Sequence, residues 1–160
     1  MSGAGAPSAD EGEIPKPSVF VRAGGVALAF AGLVALLVPV QLLTTMGPLD
    51  MWLRAEFARP LALVVGITVS GLGGLVAGLS FLRARGWAAT LSIAVALGVA
   101  ASSGAFVLWM NQFGVFLAMP LLSAAAGTVA LLLCALGGPS VVRVALARER
   151  LRAAGLDLGR

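Results

Sequence analysis

Four long stretches of this chain contain no Asp, Glu, Lys, Arg or His: Ala23–Leu43, Leu61–Leu82, Trp87–Trp109 and Phe113–Leu136. They are 21, 22, 23 and 24 residues long. A helix needs about 20 apolar residues to cross the hydrocarbon layer of a bilayer. Inside that layer every backbone N–H and C=O must be satisfied within the segment, which a helix achieves. The sequence therefore predicts an all-α integral membrane protein. Four transmembrane helices form an antiparallel bundle, with a short outer interfacial helix and a cytoplasmic C-terminal helix.

Composition agrees with this reading. The chain is 59% hydrophobic and 11% charged, against about 25% charged residues in an ordinary soluble domain. Its net charge of +4 belongs to residues that flank the spans, where they serve topology and anionic headgroups. It does not point to nucleic acid. Residues 1–18 are small, acidic and proline-containing, which predicts a disordered cytoplasmic tail rather than a signal peptide. Residues 19–138 form the transmembrane domain, and residues 139–160 a basic cytoplasmic helix and tail.

The basic residues orient the bundle. Lys16 and Arg22 precede the first span, and Arg83 and Arg85 lie between the second and third. Arg143, Arg148, Arg150, Arg152 and Arg160 follow the fourth. Only Arg54 and Arg59 fall on the other side, between the first and second spans. The positive-inside rule then places both termini in the cytoplasm of a multi-pass protein. The arginine-flanked, alanine-rich spans fit a bacterial inner (plasma) membrane. Arg83, Arg85, Arg143, Arg148, Arg150 and Arg152 are expected to hold lipid headgroups. Trp87 and Trp109 mark the two interfaces, where an apolar ring with one N–H is favoured.

Short connections, Arg83–Gly86 and Met110–Gln112, predict hairpin pairing of spans two, three and four. Small residues predict the packing surfaces. Gly66, Ser70, Gly74 and Gly78 recur at steps of four along span two, as do Ala27, Ala31 and Ala35 in span one. Span three has Thr90, Ala94, Gly98 and Ser102, and span four Ala126, Ala130, Cys134 and Gly138. Such rows let helix backbones approach closely in lipid. They serve packing within the bundle, or an interface with a second copy or another membrane subunit.

Pro39 near the end of span one and Pro120, eight residues into span four, are expected to bend their helices. Gln41, Asn111 and Gln112 gather at the same end, which makes a shallow outer cavity one candidate site. Pro48–Arg59 reads as the interfacial helix, carrying Trp52 and an Asp50–Arg54 pair at helical spacing. After Gly137-Gly138-Pro139 the chain is expected to restart at Ser140, a good N-cap, and run to about Ala154.

No constellation for acid–base chemistry, metal or cofactor is legible. There is no histidine or tyrosine, and Cys134 is the single cysteine. This argues against quinone-linked disulfide oxidases, di-haem cytochromes and claudin-like proteins. The absence of an intramembrane carboxylate argues against small multidrug antiporters. The expectation is a non-enzymatic structural or accessory subunit, in contact with the bilayer and with copies of itself or other membrane-protein subunits. An oligomeric transporter or channel for a neutral or apolar compound is the alternative.

Overall fold

The computed structural model describes residues 16–46, 58–114 and 117–153. Among these, the regular structure is four helices: α1 (Val19–Met46), α2 (Ala58–Leu82), α3 (Gly86–Asn111) and α4 (Ala118–Ala153). Each is long and apolar enough to cross a bilayer. The protein is a multi-pass membrane protein.

α1 packs on α2 and α4, and α3 packs on the same two helices, while α1 and α3 touch much less. The chain thus closes into a ring of four neighbours. Residue pairs fix the register. Gly25 lies against Gly78, and Gly32 against Gly71 and Gly74. Gly73 lies against Val95, and Gly66 against Ser102. Ser103 meets Ser123, and Gly86 lies against Ala145. Between α1 and α4, Gln41 reaches Met119 and Ser18 reaches Ser140. In every pair of neighbours the numbers rise along one helix as they fall along the other.

The bulk of the side chains is distributed as lipid requires. Large apolar groups such as Phe30, Val69, Leu108 and Leu132 point outward and are more than half exposed. The interior holds Leu28, Ile67, Phe81, Val99 and Phe106 among many Ala, Gly and Ser residues. Lipid tails are as apolar as leucine, so burying large side chains gains little here, and close backbone approach takes over.

Two details differ from the sequence expectation. First, Pro120 does not sit deep in a span. α4 begins at Ala118, so Pro120 is its third residue. The first-turn N–H groups of a helix have no intrahelical acceptor, so a proline there removes nothing. Pro60 occupies the same position in α2. Phe113 and Gly114 belong to the connection instead, with Gly114 at φ 67°, a left-handed conformation that glycine adopts without steric penalty.

Second, the helix does not break at Gly137–Pro139. α4 runs through Pro139 for 36 residues, far longer than a bilayer core needs. The proline removes one backbone hydrogen bond, but packing holds both sides: Cys134 and Gly137 before it, and Val141 and Val144 after it, are buried. Ser140 is no cap. Its hydroxyl accepts the Ser18 N–H at 3.2 Å, which ties the start of α1 to α4.

The turn between α2 and α3, at the short connection expected there, closes tightly. Ala84 takes φ 49°. Its N–H reaches the Phe81 carbonyl at 2.9 Å, and that of Arg85 reaches the Ser80 carbonyl at 3.3 Å. These two bonds make a Schellman C-cap, with alanine where glycine is usual. The interfacial helix expected over Pro48–Arg59 lies outside the described residues except for its end, where Ala58 and Arg59 open α2. The N-terminal tail before residue 16 and the chain after residue 153 lie outside them too.

Candidate functional site

Among the described residues, charge is gathered at one end. The start of α1, the α2–α3 turn and the last turns of α4 meet there through Ser18–Ser140, Gly86–Ala145 and Arg83–Arg148. Lys16, Arg22, Arg83, Arg85, Arg143, Arg148, Arg150 and Arg152 therefore share that end. Among the described residues, Arg59 is the basic group at the other.

At the basic end an open cleft of about 260 Å³ lies between the turn and α4. One wall is Ala84, Arg85, Gly86 and Trp87; the other is Ala145, Arg148, Glu149 and Arg152. The α4 residues follow i, i+3, i+4, i+7 spacing, so they form one stripe on that helix. Arg148 donates from Nη1 to the Arg83 carbonyl oxygen at 3.0 Å, which fixes the stripe against the turn. That bond satisfies one of the carbonyls left free at the end of α2. Arg85 is the N-cap of α3, and its side chain makes no capping hydrogen bond. The cleft thus combines three guanidinium groups, one carboxylate, a half-exposed Trp87 and the positive end of the α3 dipole.

The expected headgroup residues divide around this cleft. Arg85, Arg148, Arg152 and Trp87 line it, and Arg83 holds its edge through its backbone. Arg143 and Arg150 are exposed and lie outside the lining. Trp109 sits at the opposite end of α3, in a row of aromatic contacts with Phe106 and Phe113. The i, i+3, i+4, i+7 stripe was present in the sequence. Its partner wall, contributed by a turn 60 residues earlier, had no sequence signal.

The small-residue row of α2 does not face one neighbour. Gly74 and Gly78 face α1, whereas Ser70 and Gly66 face Gly98 and Ser102 of α3. Each step of four overshoots a 3.6-residue turn by about 40°, so the row winds from one neighbour to the next. On α1, Gly74 meets Leu28 and Gly32 and Gly78 meets Ala29 and Gly25, not the row Ala27, Ala31 and Ala35; the two glycines in contact are Gly25 and Gly32. Their spacing of seven, close to two full turns, was the available signal. On α3, Gly98 and Ser102 turn inward, but Thr90 and Ala94 are exposed. On α4, Ala130, Cys134 and Gly138 are buried.

The groups expected around an outer cavity lie at the other end of the bundle. Gln41 accepts the Met119 N–H through Oε1 at 3.2 Å, so it caps the first turn of α4 beside the buried Pro120. The Thr44 and Thr45 hydroxyls donate back to the Gln41 carbonyl at 2.8 and 2.7 Å. Pro39 is half-buried within α1, while Asn111 and Gln112 are exposed. Inside the bundle, the hydroxyls of Ser103 and Ser123 pair at 2.9 Å.

Comparison with known protein families, with characterised proteins and with solved structures gave no match to this chain.

Proposed function

We propose that this protein is a non-enzymatic structural or accessory subunit of a membrane assembly. It is an antiparallel four-helix bundle of the bacterial inner membrane with both termini cytoplasmic. The basic end supports the orientation, because arginines are retained on the cytoplasmic side. It acts through helix contacts with a second copy or with other membrane subunits.

One observation carries this reading. α3 exposes Ala94, Ala101 and Ala105 on a single outward stripe, which also carries the exposed Leu97 and Leu108, beside half-buried Gly104. A β-carbon added at Gly104 would meet nothing within 4 Å. The glycines between α1 and α2 are consumed by intramolecular contacts, and this one is not. Small residues on a lipid-facing helix surface are the device by which another helix docks closely. The interior supports the same reading. The hydroxyls of buried Ser92, Ser103 and Ser123 are spent on one another or on a backbone carbonyl, and Leu28, Ile67, Phe81, Val99 and Phe106 lie between helices that elsewhere meet at their glycines.

Gentle extraction followed by native mass measurement tests the proposal. The expected result is a stoichiometric assembly larger than one chain. A purified oligomer that carries a neutral solute across liposomes would replace this reading with the transporter one.

A further inference from the structure

We infer that the cleft between the α2–α3 turn and the end of α4 binds the phosphate of an anionic phospholipid headgroup. The inference holds whether or not the bundle joins a larger assembly. The ligand class follows from the lining. Arg85, Arg148 and Arg152 converge from two segments far apart in sequence, and Gly86 and Trp87 bring the first turn of α3 to the same cleft. Guanidinium groups pair with phosphate oxygens through parallel N–H donors. The uncapped start of α3 adds backbone N–H groups and a partial positive charge.

Placement favours a lipid over a free anion. The cleft sits where α3 enters the apolar layer, and Trp87 at its rim is half exposed, as an interfacial tryptophan is. Exposed Leu82, Leu91, Val142 and Leu146 lie on the same ends of the flanking helices and offer apolar surface for acyl chains. Glu149 also lines the cleft. Its carboxylate opposes a phosphate, so it sharpens the test: Glu149→Gln strengthens binding.

The measurement is a lipid titration of the full chain in detergent, followed by native mass spectrometry. The probes are phosphatidylglycerol, phosphatidylcholine with the same acyl chains, and inorganic phosphate alone. The wild type retains phosphatidylglycerol about tenfold more tightly than phosphatidylcholine. R85Q/R152Q, which spares the Arg148–Arg83 contact and so the turn, loses most of that preference. R143Q/R150Q removes the same charge outside the cleft and stays within about twofold of wild type. Equal losses in the two double variants would overturn the site in favour of diffuse charge, as would equal retention of the two lipids. Displacement of phosphatidylglycerol by millimolar phosphate would overturn the lipid as its source. A chain that proves monomeric yet keeps the preference removes the accessory-subunit proposal and leaves this one intact.

Discussion

The α-carbon of Gly32 lies 3.1 Å from the point where a β-carbon on Gly74 would stand. α1 and α2 therefore touch backbone to backbone, and the contact recurs seven residues back along α1 and four residues on along α2. There a β-carbon on Gly78 would lie 2.7 Å from the Gly25 carbonyl oxygen. Backbone atoms cannot swing aside as a side chain does, so the helices must separate to admit even a methyl group.

Gly78→Ala is accordingly expected to cost about 1–3 kcal/mol, the usual range for overpacking. Gly66→Ala is the control, since its β-carbon would meet Ser102 Cβ at 3.7 Å, an ordinary contact. It is expected to change stability by less than about 0.5 kcal/mol. Thermal unfolding in one detergent compares the two. Equal effects would mean that α1 and α2 are not in backbone contact at Gly78.

This pair of helices also shows how far the sequence could be read. The four spans were legible because a bilayer excludes charge, and that exclusion leaves long unbroken runs in the sequence. Which small residues touch was only partly legible. A helix rotates by about 100° per residue, so a four-residue row drifts, and the identity of the neighbour depends on tertiary placement. Pro120 illustrates the same gap. Its effect is decided by whether α4 starts at Phe113 or Ala118, and hydropathy alone does not distinguish those starts. The cleft at the basic end joins residues some 60 positions apart, and nothing local in the chain announces that meeting.

The Ser103–Ser123 pair is expected to behave as a coupled unit. Removing one hydroxyl leaves the other buried without a partner, while removing both leaves two small apolar groups in contact. Each single alanine variant should lose about 0.5–1.7 kcal/mol, the range for interhelical hydrogen bonds in membranes. The double variant should lose little more than either single one. A double-mutant cycle in detergent measures the coupling. Additive losses would show that the two hydroxyls do not share a bond.

Ala84 holds a left-handed conformation in a buried position, 3% exposed. That conformation costs an L-residue about 1–2 kcal/mol. Ala84→Gly relieves it but removes a buried methyl group worth about 0.8 kcal/mol. The expected outcome is an unchanged or slightly raised unfolding midpoint. A clear fall in the midpoint would mean that the Ala84 methyl contributes more to packing than its backbone costs.

The gathering of arginines at one end makes a prediction about orientation. A fluorescent protein fused after Arg160 should mature if the proposed orientation, with that end in the cytoplasm, is right. An enzyme reporter that folds only on the outer face should stay inactive at the same junction. The reverse pair of results would invert the bundle.

Gly104→Leu bears most directly on the proposal that the protein works through its outward α3 face. A β-carbon at this position meets nothing within 4 Å, so the bundle itself should fold as before, while a helix docked on the stripe should be pushed away. The measurement is the native mass of the gently extracted protein, wild type against variant. The wild type is expected to leave the membrane in an assembly larger than one chain, and Gly104→Leu as a single chain. A variant that keeps the full mass of the wild-type assembly, or a wild type that is itself a lone chain, would contradict it.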